Sequence, residues 1–142
     1  MVVGLGSVQR SFRLSRDTST LLDRLAEATN ESRNALADRL LGEALRSEHH
    51  PLIRFRSGAA GRREPYLVGT RLLVRHLVTA VKDHNGNIED AASYLDVSPR
   101  LVRAAVSFYA EFASEIAADG AWAAQVEADE AARWERPQAT LA

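Results

Sequence analysis

The chain has 142 residues, of which 46% are hydrophobic and 26% are charged, and its formal net charge is −1. This composition indicates a globular protein of one domain or two small ones, and it excludes an intrinsically disordered chain. There is no cysteine, which excludes disulfide bridges and thiolate metal sites. The chain opens without a basic region and a long apolar core, and no apolar run approaches membrane-spanning length, so we expect a cytoplasmic protein with no membrane partner.

Charge is distributed unevenly along the chain. Residues 1–50 carry seven arginines against seven acids, and residues 51–76 carry six arginines against Glu64 alone. Residues 77–142 carry five basic residues against eleven acids. Such asymmetry indicates different partners for different segments, although solvated surfaces can also cluster charge without purpose.

An alternating stretch lies near the start of the chain. Between Gln9 and Leu14, a predicted strand places Phe12 and Leu14 on one face. The other face carries Gln9, Ser11 and Arg13. A single strand of this length cannot be stable alone, because it has no partner for its backbone hydrogen bonds.

Two helical patterns follow the predicted strand. Ser15 or Asp17 can cap the first helix, which ends near Asn30, and Ser32 can cap the second. Together they offer too little apolar surface to offset the entropy of ordering the chain. We therefore expect two copies to pair their strands antiparallel about a two-fold axis, above four helices.

A two-stranded ribbon has the right size for the major groove of DNA, and glutamine, serine and arginine can contact base edges there. The stretch from Val8 to Leu45 resembles the ribbon–helix–helix repressors, the class of Arc and MetJ, through "RL" and "LDRLAEATNESRNAL". The resemblance implies base reading by the outward strand residues and phosphate anchoring at the start of the second helix. The implied DNA-binding residues are Gln9, Ser11, Arg13, Ser32, Arg33 and Asn34. The alternative is a strand that completes a small α+β domain.

The next segment, residues 49–65, is predicted to be a linker or loop, although "LIRF" within it can pair with the short extended "PYLV". Amphipathic periodicity then predicts a helix that includes residues 74–81. Asn87 can cap a second helix, and Ser98 followed by Pro99 marks the start of a third.

The run "IEDAASYLDVSPRLVRAAVSFY" is typical of a helix-turn-helix, with Asp96 at the turn position where glycine is usual. In such a motif Arg100, Arg103 and Ser107 would face the groove, which makes Arg100 and Arg103 a second candidate DNA contact. The alternative is a compact trihelical core for assembly or partner binding. The acidic charge of this half favours the alternative, because phosphate contacts dominate DNA affinity.

The stretch from "PYLVGTRLLVRHLV" to "SPRLVRAAVSFYAE" resembles the homeodomain-like family known as domain of unknown function 433. Its motif is matched by Gly69, Thr70, Arg71, Leu72 and Val74. The resemblance implies an antitoxin of the VapB type, which neutralises a PIN-like ribonuclease toxin.

The last segment, "AWAAQVEADEAARWERPQATLA", contains two tryptophans on a predicted helix. Tryptophan and arginine dominate many interfaces, so an amphipathic helix of this kind suits a groove on a partner. The predicted toxin-binding residues are Trp122, Val126, Arg133, Trp134 and Arg136. The alternative is a helix that packs on its own domain and ends at Pro137.

No enzyme motif is present, since the chain has neither a glycine-rich phosphate loop before a helix nor a recognisable catalytic triad. His49 and His50 at a helix end could hold a metal adventitiously, but His76 and His84 share no helical face. We therefore expect a non-enzymatic protein with no metal and no cofactor.

The sequence predicts a mainly α protein with four parts. These are a ribbon–helix–helix domain (1–48), a linker (49–65), a homeodomain-like helical domain with a short β element (66–118) and an amphipathic toxin-binding tail (119–142). The expected function is that of a dimeric antitoxin that binds operator DNA, represses its own operon and binds a ribonuclease toxin. The alternative is a stand-alone regulator whose second domain serves oligomerisation or ligand binding.

Overall fold

The structure, a computed structural model, describes residues 6–58 and 60–141. Within these ranges the fold is mainly helical with one small two-stranded antiparallel sheet, which confirms the predicted class at that level. The elements are α1 (Arg16–Thr29), α2 (Arg33–His49), β1 (Ile53–Ser57), β2 (Arg63–Leu67), α3 (Val74–Asp83), α4 (Ile88–Leu95) and α5 (Pro99–Leu141). No described helix is both long and apolar enough to cross a membrane. The chain divides between Glu48 and His49 into an N-terminal unit and a C-terminal unit.

The junction between α1 and α2 follows the predicted capping residues. Ser15 Oγ accepts a hydrogen bond from the Thr18 N–H at 3.2 Å, and Ser32 Oγ accepts one from the Ala35 N–H at 3.1 Å. Asn30 ends α1 in the left-handed conformation, with φ of 57°. Each cap satisfies backbone groups that the helix leaves unpaired, so these local signals determine where the helices begin and end.

The N-terminal unit has a small core. Among its described residues, only Ala26 and Leu36 are buried. Residues 7–14 have no regular secondary structure, so the predicted strand has no hydrogen-bonded partner within the described single chain. The pairing with a second copy stays a prediction.

The sheet belongs to the C-terminal unit. β1 and β2 pair antiparallel, with Ile53 opposite Leu67 and Phe55 opposite Pro65, as the sequence allowed for "LIRF" and "PYLV". Ile53 is fully buried and Phe55 packs against the same core. The prediction of residues 49–65 as a linker is therefore corrected: this segment contains β1 and the start of β2, because its alternating apolar side chains complete the core.

Helices α3 and α4 and the first part of α5 surround the core of the C-terminal unit. Asn87 Oδ1 caps α4 by accepting from the Asp90 N–H at 3.0 Å, and Ser98 Oγ accepts from the Arg100 N–H at 3.2 Å at the start of α5. Asp96 adopts the left-handed conformation between the two helices, with φ of 54°. The buried side chains of this core include Val74, Leu77, Val78, Ala91, Ala92, Val102, Ala105 and Phe108.

The Gly-Thr-Arg motif forms the turn between β2 and α3. Gly69 has φ of +80°, which L side chains rarely adopt. Thr70 Oγ1 donates to the Leu67 carbonyl at 2.9 Å and accepts from the Leu72 N–H at 3.0 Å. The Arg71 carbonyl accepts from the Arg56 guanidinium at 2.5 Å. These contacts give the motif a structural role inside the C-terminal unit.

Helix α5 is longer than the sequence predicted. It contains a kink at Phe112, where φ of −124° and ψ of 37° are not helical, and it extends to Leu141. Pro137 lies inside the helix, so the alternative interpretation of this segment is wrong in placing the helix end at Pro137. The predicted boundary between residues 118 and 119 falls within the helix, so the final segment continues α5.

Candidate nucleic-acid and partner-binding surfaces

The predicted base-reading residues lie on an exposed segment. Gln9, Ser11 and Arg13 are exposed, as are the two apolar residues between them and α1. Phe12 is 66% exposed and Leu14 is 53% exposed. Such exposure of large apolar side chains is costly in water, and it makes this segment a candidate interaction surface.

These apolar residues border a groove in the N-terminal unit. Its volume is about 700 Å³, and its lining is mostly aliphatic. The lining residues are Phe12, Arg13, Leu14, Thr18, Leu21, Leu22, Leu25, Ala37, Leu40 and Leu41. All of them belong to the extended segment, α1 or α2, so the groove lies within one unit.

The predicted phosphate anchor lies at the start of α2. The Ser32 hydroxyl oxygen caps the helix, and the Asn34 side chain is exposed. Arg33 Nε donates to Asp23 Oδ1 at 2.5 Å, and this hydrogen bond raises the pKa of the Arg33 guanidinium. The pair is solvent-exposed, and such pairs contribute little to stability, so a phosphate group competes readily for Arg33.

An ion pair beside this anchor fixes the helix junction. Arg39 donates to both carboxylate oxygens of Glu31, at 2.8 and 3.2 Å, and it also lies 3.6 Å from Glu43. The hydrogen bond from Arg39 lowers the pKa of Glu31. A bidentate arginine–carboxylate pair restricts geometry more than a single contact does, so it orients the loop before Ser32.

The helix-turn-helix-like face has mixed charge. Arg100, Arg103 and Ser107 are exposed along one side of α5, as predicted for a reading helix. However, Arg103 lies 3.8 Å from Glu89, and a cavity beside the turn is lined by Glu89, Asp90 and Asp96. These carboxylates would repel DNA phosphates, which argues against a DNA contact at this face.

The first tryptophan of α5 packs on its own unit. Trp122 Nε1 donates to the Ala60 carbonyl at 2.7 Å, and the Arg62 guanidinium lies 5.8 Å from the centre of its ring. Val126, one turn further, is half-buried and lines a cavity with the β1–β2 loop. For this part of the helix, the structure agrees with the alternative of packing on the same domain.

The second half of the predicted partner-binding segment makes no such contact. Every described residue from 127 to 141 is exposed, and Trp134 is 58% exposed. Arg133 pairs with Glu130 on the same helix, and Arg136 is exposed. The structure therefore separates the five predicted toxin-binding residues into two groups. Trp122 and Val126 contact their own unit, although Trp122 is still 44% exposed. Arg133, Trp134 and Arg136 are exposed and make no contact with the rest of the described unit beyond α5.

A buried polar cluster, which the sequence did not reveal, lies between the sheet and α5. Glu64 and Asp119 are 2% and 3% exposed, and they pair with Arg75 at 2.8 Å and with Arg62 at 3.3 Å. Burial raises the pKa of Asp119 to about 6, and its Oδ2 has no hydrogen-bond partner among the described residues. Burial also lowers the pKa of the neighbouring His76. The one sequence signal was the lone acid, Glu64, among six arginines.

No family model, curated protein or solved structure matches the chain.

Proposed function

We propose that this protein is a DNA-binding antitoxin whose N-terminal unit dimerises to bind its operator and whose C-terminal unit binds a ribonuclease toxin. The observation that carries the proposal is the open apolar groove of the N-terminal unit, bordered by an unpaired extended segment. The groove requires a second apolar surface to cover it, and the extended segment requires a second strand to pair with it. A second copy of this unit supplies both at once.

In the proposed dimer, the extended segments of two chains pair antiparallel. Phe12 and Leu14, which already border the groove, then become buried in a shared core. Gln9, Ser11 and Arg13 face outward from the ribbon, although Arg13 touches the edge of the groove in the single chain. The ribbon enters the major groove, where glutamine pairs with adenine and arginine with guanine.

The start of α2 would hold the ribbon in register on the DNA. The backbone N–H groups of the first turn and the helix dipole favour an anion there. The Ser32 hydroxyl and the exposed Asn34 side chain are free to donate to a phosphate oxygen, and Arg33 exchanges Asp23 for the phosphate. Such contacts position the protein without reading sequence.

The C-terminal unit is proposed to bind the toxin through the exposed part of α5. Residues 77–142 carry five basic residues against eleven acids, which suits a basic, RNA-binding partner. Trp134 supplies an exposed aromatic side chain, and tryptophan often carries most of the energy of an interface. Arg133 and Arg136 lie beside it, where they can reach acidic groups of a PIN-like nuclease.

Co-expression with a PIN-like ribonuclease encoded in the neighbouring reading frame tests this division of function between the two units. We expect the full chain and a fragment from about Pro51 onward to restore growth, and a truncation after about Ser47 to fail. Trp134→Ala should reduce rescue, whereas Leu141→Ala, an exposed apolar change on the same helix, serves as the matched control. Rescue by the N-terminal fragment alone would contradict the proposal.

The runner-up is a stand-alone regulator, and one observation favours it. Trp122 is hydrogen-bonded within its own unit, so it is less available to a partner than the sequence implied. In this case the C-terminal unit serves oligomerisation or ligand binding. Co-purification separates the two, because an antitoxin retains one small nuclease in a tight complex and a stand-alone regulator does not.

A further inference from the structure

Two histidines and a glutamate converge near the start of the C-terminal unit. His49 is the last residue of α2, His50 follows it, and Glu111 lies on α5 immediately before the kink. The Nε2 atoms of His49 and His50 lie 3.0 and 3.2 Å from the same oxygen, Glu111 Oε1. One ligand atom from each residue lies within 4.8 Å of the others.

These separations suit a transition-metal ion. Bonds of about 2.0–2.1 Å to imidazole nitrogen or carboxylate oxygen, at tetrahedral angles, place two ligand atoms roughly 3.3 Å apart. Both nitrogen–oxygen distances are already close to that value. The ligand atoms of the two histidines lie within 4.8 Å of each other, and the His49 side chain is 67% exposed, so its ring is free to rotate toward a shared ion.

The environment of His50 is the second, independent observation. Its side chain is 9% exposed, and its Nε2 atom is buried without a hydrogen-bond partner of acceptable geometry among the described residues. The Phe108 and Phe112 rings pack edge-on against it, with centroids 5.2 and 6.1 Å away. A buried nitrogen without a hydrogen bond costs free energy, and a metal bond removes that cost.

The apolar side of the site also suits the chemistry. The Phe108 and Phe112 rings pack against the His50 ring and hold its orientation. On the opposite side His49 and Glu111 reach solvent, and Glu111 is 41% exposed. An ion held by these three groups would therefore keep one position for water or for a donor from another molecule.

We propose that His49, His50 and Glu111 form a binding site for one divalent transition-metal ion per chain, of which Zn²⁺ is the best match. Two imidazoles and one carboxylate are ligands that Zn²⁺ accepts, and magnesium and calcium prefer sites made wholly of oxygen. The ion fastens residues 49 and 50 to α5. The site does not depend on the DNA- or toxin-binding function proposed above.

Titration of the full chain with Zn²⁺ tests the site. After treatment with a chelator, the metal is added in a calorimeter, and Co²⁺ is added in parallel because tetrahedral cobalt absorbs strongly in the visible range. We expect one ion per chain, a visible cobalt band and a melting temperature that rises with metal concentration. Fragments are unnecessary, since all three ligands belong to one compact unit.

Variants of the exposed ligands separate this site from adventitious binding. His49→Ala and Glu111→Gln should each weaken Zn²⁺ binding by more than about 100-fold, because loss of groups that only orient metal ligands already costs about 10- to 100-fold. Glu135→Gln, the same change at an exposed position on the same helix, should leave binding unaltered. Far-UV circular dichroism is the control that checks whether each variant is folded.

Three results would overturn the proposal. The first is a Zn²⁺ isotherm that does not fit one ion per chain. The second is equal Zn²⁺ affinity in the Glu111→Gln and Glu135→Gln proteins. The third is a cobalt band that persists in the His49→Ala protein.

Discussion

Replacement of Asp119 by asparagine should stabilise the C-terminal unit at neutral pH. This carboxylate is 3% exposed, and its Oδ2 has no partner among the described residues. Burial raises its pKa from an ordinary value of 3.8 to about 6. Arg62 opposes the rise, Glu64 and Glu115 add to it, and Arg75 opposes it weakly. Asparagine is nearly isosteric and carries no charge, so it removes the cost of a buried anion.

The magnitude follows from the shift. A rise of about 2 pH units, at about 1.36 kcal/mol each, corresponds to at most about 3 kcal/mol. Because the pKa of Asp119 is higher in the folded state, the folded protein holds a proton on this carboxyl between about pH 4 and pH 6 that the unfolded chain has released. This proton binding stabilises the folded state, and the stabilisation is lost as pH rises through about 6. The stability difference between Asp119→Asn and the unaltered protein should therefore be small near pH 4 and largest above pH 6.

Chemical denaturation at a series of pH values from 4 to 8 measures this difference. In a Trp134→Phe background, Trp122 is the single tryptophan, and its fluorescence reports on the C-terminal unit because it contacts the β1–β2 loop. His76, whose pKa is lowered by burial, gives stability a pH dependence opposite to that of Asp119. Comparison with the parent protein cancels this contribution, because both proteins contain His76. Asp129→Asn, at an exposed position on α5, is the control. A constant difference across the pH range, or destabilisation at pH 7.5, would refute the reasoning.

Three further substitutions test the packing. Phe12→Ala should lower the stability of the proposed dimer by roughly 3–5 kcal/mol. The melting temperature of the parent protein should also rise with protein concentration. A small loss of stability in the Phe12→Ala protein would show that Phe12 stays exposed. Gly58→Ala should destabilise the C-terminal unit by about 1–3 kcal/mol, measured by urea denaturation, because its Cβ would lie 2.5 Å from Glu64 Oε2. Gly120→Ala, with nothing within 4 Å of its Cβ, should instead stabilise α5 by about 0.5–1 kcal/mol in the same assay.

Local signals predicted most of the element boundaries. Ser15, Asn30, Ser32, Asn87 and Ser98 lie at the helix ends that the sequence assigned to them. Each acts through hydrogen bonds to backbone groups within a few residues, or through a conformation that few other residues adopt, so the neighbouring sequence is sufficient.

Contacts between distant parts of the chain were harder to predict. His49 and His50 are 62 and 61 positions from Glu111, and Arg62 is 57 positions from Asp119. No periodicity or spacing in the sequence indicates that such pairs are close. They come into contact because α5 runs back along the sheet in the folded unit. The alternative interpretation of the last segment ended its helix at Pro137, whereas α5 continues to Leu141. Proline disfavours a helix interior but does not exclude it.

The N-terminal unit presents a third kind of difficulty. Many of its apolar residues are not buried in one copy, since Phe12, Leu14, Leu21 and Leu45 remain more than half exposed. Composition and pattern predict these apolar side chains but do not identify what would cover them. The second copy is inferred from the shape of the groove and the unpaired segment beside it.

The central proposal, that the N-terminal unit reads DNA, is tested most directly by replacing Arg13, the strand residue proposed to contact guanine. The full chain selects its preferred site from a library of random duplexes, and binding is then measured at one fixed salt concentration. We predict that Arg13→Ala weakens specific binding by about 1–3 kcal/mol and relaxes preference at one base position. Ser32→Ala should weaken binding to all DNA sequences by the same factor, and Arg100→Ala should have little effect on DNA binding. Undiminished specific binding in the Arg13→Ala protein, together with its loss in the Arg100→Ala protein, would contradict the account and place DNA reading on α5.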